Sequence, residues 1–200
     1  MIIVGITGGI ASGKTTVVKF LKKKKFIIHD SDFVVKKMYS KPTKSFVKHL
    51  KDNNLLGSAK ERKIDKKLIR EEIFNNKSKK NKLEKFIHKE VKKSRDNFLK
   101  KQRAKKTKLV ILDIPLLFEA KLEQVCHYII LLYLPRGLQI QRALNRRGMK
   151  KDVLLKIIKN QLSDAYKKKK ADLIINTSKT KNHSFKMILG AISNIIKSHA

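Results

Sequence analysis

The stretch that decides the fold is residues 2–16, which read IIVGITGGIASGKTT. An apolar, β-branched run at residues 2–6 leads into the pattern G-x-x-x-x-G-K-[ST], from Gly8 to Thr15, and a helical stretch follows. This order of strand, glycine-rich loop and helix is the context in which the pattern forms a phosphate-binding loop. The glycines let the backbone approach phosphates without a Cβ in the way, and the helix N-terminus offers partial positive charge to an anion. The stretch therefore predicts binding of a nucleoside triphosphate.

The pattern also assigns roles to single residues. We expect Lys14 to reach the β- and γ-phosphates and the Thr15 hydroxyl to be a ligand of Mg²⁺. ATP and Mg²⁺ are thus the predicted cofactors. The residues of the loop expected to contact ATP are Gly9, Ile10, Ala11, Ser12, Gly13, Lys14, Thr15 and Thr16. The alternative is a glycine turn between strand and helix that binds nothing.

Further strands and helices alternate along the chain. After the first strand, apolar runs predict strands at residues 26–29, 109–113, 128–133 and 172–176. Strands that alternate with helices indicate an α/β fold, a parallel sheet covered by helices on both faces. Residues 33–106 are helical in pattern and very polar, with breaks at Pro42 and around Gly57. This stretch is too long for a simple crossover, so we expect a helical insertion at 33–106 in a core formed by 1–32 and 107–200.

The net charge of +34 comes mainly from lysine. Eight of the 50 basic residues are arginine, which leaves 42 lysines. Sites for nucleic acids usually rely on arginine and on stacked aromatic side chains, and only 6% of this chain is aromatic. We therefore expect a solvated lysine-rich surface, Lys167–Lys170 included, and no specific nucleic-acid partner.

Other bulk features limit the class of protein. No apolar run reaches the roughly 18 residues that a membrane span needs, so we expect no membrane partner. The single cysteine, Cys126, excludes an internal disulfide bond and favours a cytoplasmic protein. We expect a monomer or a weak oligomer.

Three groups of side chains are candidates for chemistry. Asp113 ends an apolar strand, where a carboxylate can hold Mg²⁺ directly or through water. Asp32 follows the second predicted strand and could accept the proton of an acceptor hydroxyl or orient it, while Ser31 or Asp32 could cap the next helix. Arg142 and Arg146 lie one helical turn apart and could stabilise charge on a transferred phosphoryl group.

Taken together, the motifs resemble those of the dephospho-CoA kinase family, in order and over the whole chain. Residues 115–119, with the sequence PLLFE, and the pair Ile87-His88 are more specific than the loop itself. The other matching positions are Thr7–Lys14, Asp30-Ser31-Asp32, Ile69-Arg70, Ile73-Phe74, Gln139, Arg142, Arg146, Gln161 and Ala171-Asp172.

The resemblance implies phosphorylation of the ribose 3′-hydroxyl of dephospho-CoA by ATP, the last step of coenzyme A biosynthesis. It implies a P-loop kinase-like parallel-sheet core, a helical substrate-binding insertion and a helical lid at about residues 138–166. Lys14, Asp32 and Arg142 would be catalytic, with Arg142 and Arg146 on the ATP phosphates. The acceptor site would be lined by Asp32, Phe74, His88, Leu117, Phe118 and Glu119, and by Lys36, which stands where the family usually has arginine.

Two other functions remain open on the sequence alone. Another kinase, acting on a nucleoside monophosphate or a sugar acid, would need an arginine-lined pocket for the acceptor. Between residues 33 and 106 the arginines are Arg62, Arg70, Arg95 and Arg103, which form no cluster in the sequence. A basic ATP-binding protein that acts on RNA is the second alternative.

Overall fold

The structure is a computed structural model that describes residues 1–56, 64–74 and 76–199. The predicted break at Gly57 and the side chain of Arg62 lie outside the described residues. By its internal contacts the chain forms two compact units. The first unit comprises Met1–His29 and Arg103–Ala200, and the second comprises Asp30–Gln102.

In the described part of the chain, five strands form one sheet in the order β2-β3-β1-β4-β5. The strands are β1 Ile2–Gly8, β2 Ile28–Asp30, β3 Leu109–Asp113, β4 Tyr128–Tyr133 and β5 Leu173–Asn176. The central strand β1 pairs in parallel with β3 and with β4, and β4 pairs in parallel with β5. The predicted parallel α/β sheet is confirmed.

The helices follow the predicted alternation with the strands. They are α1 Lys14–Lys23, α2 Ser31–Ser40, α3 Lys44–Asp52, α4 Lys66–Phe74, α5 Lys77–Ala104, α6 Arg136–Leu144, α7 Lys151–Lys159, α8 Asp164–Lys170 and α9 Lys181–Lys197. A short 3-10 turn at Glu123–Val125 precedes β4. The ends of β1, β3 and β4 and the start of α1 all belong to the first unit, which carries the phosphate loop.

The three central strands β1, β3 and β4 are buried on both faces, as is typical of an apolar parallel sheet, whereas most of the edge strand β5 is exposed. Alternate residues of a strand point to opposite faces. On one face Val4 and Ile6 pack with apolar residues of α1 and α9. On the other face a Cβ at Gly5 would meet the Cys126 sulfur at 2.7 Å and a Leu117 methyl carbon at 2.8 Å, so the covering segment lies directly on the strand.

The second strand and its helix cap differ from the prediction. The strand begins at Ile28 instead of Phe26 and ends at Asp30. Asp30 then caps α2, because its Oδ1 accepts the N–H of Phe33 at 2.8 Å. The expectation that Ser31 or Asp32 forms this cap is therefore wrong, and Asp32 lies in the first helical turn.

The second unit has an apolar core of its own around Phe46. The Phe46 ring is edge-on to Tyr39, with 5.2 Å between the ring centroids. His49 stacks on Phe86 at 4.3 Å, and its burial lowers the pKa of the imidazole below the ordinary value of 6.5. Among the described residues, every helix is too short or too polar to cross a membrane.

Candidate active site

The phosphate loop joins the end of β1 to the start of α1. Gly13 has φ of +83°, in the left-handed region that glycine adopts without strain. A Cβ on Gly8 would lie 2.6 Å from the backbone oxygen of Leu132, so this turn also requires glycine. Within the described residues, no side chain caps α1 at Gly13. The start of α1 therefore fits a phosphate group, because a helix N-terminus favours an anion.

Lys14 and Asp113 form a buried ion pair beside the loop. The Lys14 Nζ lies 2.7 Å from the Asp113 Oδ1, and the two side chains are 9% and 4% exposed. Asp113 ends β3 opposite Ile6 of β1, so the parallel register brings the carboxylate to the lysine. Thr15 follows Lys14 and is exposed. A carboxylate and a hydroxyl are the hard oxygen ligands that Mg²⁺ prefers, so this edge of the sheet fits the metal.

Two glutamines cover the loop at Gly9 and Ile10. Gln161, which lies between α7 and α8, accepts the N–H of Ile10 at 3.3 Å. A Cβ on Gly9 would lie 2.5 Å from the Gln139 Nε2 and 3.4 Å from the Gln161 Oε1. Gln139 is buried and accepts a hydrogen bond from Arg136 at 2.9 Å. Residues of the predicted lid thus contact the loop directly, while movement of residues 138–166 stays a prediction.

A pocket of about 330 Å³ opens beside the start of α1. Its walls include five of the residues predicted to bind ATP, namely Ala11, Gly13, Thr16, Arg142 and Arg146. Lys179, Lys181 and Phe185 also line it, and the Phe185 ring stacks on Phe20 at 4.0 Å. The pocket has the cationic and aromatic side chains that suit a nucleotide.

The Arg142 guanidinium is fixed by backbone oxygens. It donates to the carbonyl oxygen of Thr177 at 3.0 Å and to that of Ser178 at 3.3 Å. The Thr177 hydroxyl in turn donates to the carbonyl oxygen of Ser12 in the phosphate loop at 2.9 Å. Arg142 is therefore part of the pocket wall rather than of a solvated helix face. Its contact with phosphates stays a prediction.

Residues 115–119 pack differently from the expected apolar wall. Leu117 is fully buried and Phe118 is 2% exposed, so both belong to the core of the first unit. Leu117 thus presents no surface in this structure, whereas Phe118 lines a space of about 400 Å³. The place of both side chains in the acceptor site stays a prediction. Leu116 is 45% exposed and is the large apolar side chain that this segment offers to solvent.

Glu119 is engaged by the segment that follows α7. Its Oε1 lies 2.8 Å from the Lys167 Nζ and accepts the N–H of Leu162 at 3.0 Å. The Lys167 side chain is only 2% exposed, although the lysine run was expected to be solvated throughout. That expectation is wrong for Lys167, because the fold of α8 turns this one side chain inward to a carboxylate.

The remaining predicted acceptor residues lie in the second unit. Asp32 and Lys36 are exposed and share a face of α2, since they are four residues apart. Phe74 is 81% exposed at the end of α4, which is unusual for so large an apolar side chain. His88 is exposed on α5. Their role in binding the acceptor stays a prediction.

Several residues around the site were not predicted. Lys179, Lys181 and Phe185 carry no motif, and only the fold brings them to the pocket. Thr177 directly follows the last strand, and the carboxyl end of a parallel strand was a signal that could have identified it. The burial of Lys167 could not be predicted, because the sequence does not distinguish it from the neighbouring lysines at 168–170.

The sheet, the phosphate loop and the lysine–aspartate pair define a kinase of the P-loop class. A family model described as dephospho-CoA kinase matches residues 2–182. The chain is 36% identical to the dephospho-CoA kinase of Fusobacterium nucleatum over 190 residues, which cover 94% of this chain and 95% of the relative. It is 33% identical to that of Bartonella henselae, covering 98% of this chain and all of the relative.

A solved structure agrees with these sequence matches. Dephospho-CoA kinase from Campylobacter jejuni superposes with a TM-score of 0.70 at 26% identity, covering 99% of this chain and 98% of that one. The chain belongs to the dephospho-CoA kinase family.

Proposed function

We propose that the protein transfers the γ-phosphoryl group of ATP to the ribose 3′-hydroxyl of dephospho-CoA, giving CoA and ADP in the last step of coenzyme A biosynthesis. The observation that carries the proposal is the buried Lys14–Asp113 pair beside the N-terminus of α1, in a chain of this family. The reaction would take place in the cytoplasm.

The phosphate loop would hold the triphosphate. The N–H groups at the start of α1 bind phosphate oxygens, and Lys14 adds a full positive charge as negative charge shifts in the transition state. When bound, Mg²⁺ would supply positive charge beside the phosphates. Thr15 and Asp113 are the residues that would hold it. Lys14 must then exchange Asp113 for phosphate oxygens, so the resting pair keeps both groups in place until nucleotide binds.

The pocket of about 330 Å³ is proposed to take the nucleoside part of ATP. Support comes from its position, since Gly13 and Thr16 belong both to the pocket wall and to the start of α1. Arg142 and Arg146 supply positive charge from α6 and the turn after it. The same two residues are our candidates for contact with the phosphates.

Acceptor binding is assigned to residues of the second unit. Asp32 is proposed to face the 3′-hydroxyl and to accept or orient its proton as the oxygen attacks phosphorus. Lys36 and His88 would contact polar groups of dephospho-CoA. Phe74, with 81% of its surface exposed, suits the apolar part of the pantetheine arm.

The decisive experiment is an ADP-release assay with ATP and Mg²⁺, with and without dephospho-CoA, and mass detection of the product. We expect one added phosphate on dephospho-CoA, and loss of turnover in Lys14→Ala. Asp32→Asn should lower the chemical rate by about 10²–10⁴ if Asp32 is the base. A loss of less than tenfold in a folded variant would reduce Asp32 to a positioning residue.

Two further tests separate this proposal from its alternatives. Phosphorylation of AMP or shikimate, with none of dephospho-CoA, would refute the acceptor assignment. RNA binding that persists at physiological salt with a steep salt dependence would favour the nucleic-acid function.

A further inference from the structure

We propose that Glu119 is a positioning residue on the nucleotide side of the site, which holds residues 160–163 so that Gln161 stays at the phosphate loop. The inference rests on the proposed function only in that the nucleotide is ATP. It differs from the sequence prediction, in which Glu119 lines the acceptor site.

A continuous set of contacts links Glu119 to the loop. The Glu119 Oε1 accepts the N–H of Leu162 at 3.0 Å. The preceding residue, Gln161, accepts the N–H of Ile10 at 3.3 Å. Glu119 therefore fixes the backbone of residues 160–163 one residue away from the side chain that contacts the phosphate loop.

Lys167 keeps Glu119 in this position. Its ammonium group lies 2.8 Å from the same Oε1, and its side chain is 2% exposed. A buried ammonium group is stable only with a charged partner, so the carboxylate cannot leave without exposing the lysine to a large desolvation cost. The pair thus joins α8 and residues 160–163 to the end of the 115–119 segment.

The second oxygen of Glu119 is not available to an acceptor molecule. Oε2 is buried and has no hydrogen-bond partner among the described residues. A space of about 400 Å³ lies beside it, and Glu119 itself lines this space together with Phe118, Tyr166 and residues 159–162. The exposed part of Glu119 is small, at 15%, and its Oε1 is already bonded to Lys167 and Leu162. Since no solvent reaches Oε2, a ligand in that space would not contact it unless Glu119 moved. The geometry favours a role through Leu162 and Gln161 over direct contact with substrate.

The test compares nucleotide and acceptor affinity in Glu119→Gln. The amide keeps the shape and can still accept the N–H of Leu162, but Lys167 loses its countercharge and should move towards solvent, displacing residues 160–163. We expect calorimetry without acceptor to give ATP binding about three- to tenfold weaker, the scale of one lost hydrogen-bonded contact. The KM for dephospho-CoA should change less than about twofold, the scale of a few tenths of a kcal/mol.

Gln161→Ala provides a second, independent variant, because Gln161 is not part of the core. It should weaken ATP binding by a similar factor. Combined with Glu119→Gln it should add little, since both changes interrupt the same set of contacts. Lys169→Met, an exposed lysine of the same helix, is the matched control and should bind ATP as the wild type does.

A double variant that restores ATP affinity distinguishes a positioning role of Glu119 from a general contribution to folding stability. Glu119→Gln combined with Lys167→Met removes the uncompensated charge and should return ATP affinity to within about twofold of wild type. Unchanged or tighter ATP binding in Glu119→Gln and Gln161→Ala would overturn the proposal, as would an effect confined to the KM for dephospho-CoA. A wild type that binds ATP but does not phosphorylate dephospho-CoA would refute the proposed function and leave this test intact.

Discussion

Asp113→Asn should destabilise the nucleotide-free protein markedly, although it changes one atom at a predicted metal ligand. The asparagine has nearly the same shape, so packing is preserved. Lys14, which is 9% exposed, then loses the countercharge that lies 2.7 Å from its ammonium group. The same substitution should favour the binding of Mg²⁺-free ATP, because Lys14 no longer has to break an ion pair before it contacts the phosphates.

The distance between the Lys14 Nζ and the Asp113 Oδ1 sets the size of the expected loss in unfolding free energy. At 2.7 Å the gross attraction is about 6 kcal/mol with an effective dielectric constant of about 20, and desolvation offsets much of it. Removing one member of a buried pair typically costs about 3–5 kcal/mol. Both residues have further interactions, so we take the lower end, about 3 kcal/mol. For a chain of 200 residues this corresponds to a fall in Tm of about 6–12 °C.

Calorimetry of wild type and variant without nucleotide measures this change. Glu72→Gln is the control, since Glu72 pairs with Lys79 at 2.6 Å but its side chain is 48% exposed. Exposed pairs contribute about 0–1 kcal/mol, so Tm should fall by no more than about 4 °C in the control. A second scan adds ATP without Mg²⁺, which should raise the Tm of Asp113→Asn more than that of wild type.

Equal falls in Tm for Asp113→Asn and Glu72→Gln would refute this prediction. Mg²⁺-free ATP that stabilises the wild type at least as much as the variant would also refute it. Either result would mean that Lys14 is not held by Asp113 in solution.

Three other substitutions test the site and the second unit. Gly9→Ala would place a Cβ 2.5 Å from the Gln139 Nε2, so we expect a destabilisation of about 1–3 kcal/mol and weaker ATP binding; unchanged thermal unfolding and ATP titration would show that Gln139 moves freely. Arg142→Lys keeps the charge but loses the planar fork that donates to two carbonyl oxygens, and kcat/KM for ATP should fall about tenfold; a wild-type value would show that the fork is not needed. Burial lowers the pKa of His49 below 6.5, so the unfolded chain binds the proton more readily. The contribution of neutral His49 to the free energy of unfolding is then fully present above about pH 6.5 and is lost as the pH drops below it. His49→Phe should reduce this loss, which urea titrations at several pH values would measure.

The fold was predictable because its signals are local. The apolar strands and the phosphate-loop pattern depend on residues close together in the chain, and β4 at Tyr128–Tyr133 agrees with its predicted limits. The cap of α2 was assigned to the wrong residue because Asp30, Ser31 and Asp32 can all cap a helix. Only the backbone geometry decides that Asp30 is the cap.

The candidate site was predictable where the position of a residue in a motif assigns it a single role. Lys14 and Asp113 were both candidates from their places in the pattern, and the parallel register brings them together. The burial of Leu117 and Phe118 could not be read from the sequence, since an apolar segment after a strand can line a site or fill the core. Phe185 comes from a distant part of the chain, and only the packing of α9 places it at the pocket beside the loop.

The inward turn of Lys167 also matters for anyone who modifies this very basic protein. Projects that replace or methylate surface lysines to lower charge or promote crystals usually treat a run such as 167–170 as interchangeable. Here Lys169 and Lys170 are exposed, whereas the Lys167 amine is enclosed and already paired. Amine-reactive reagents should leave it unlabelled in the folded protein. A lysine that resists labelling until the chain unfolds is a built-in reporter of native structure.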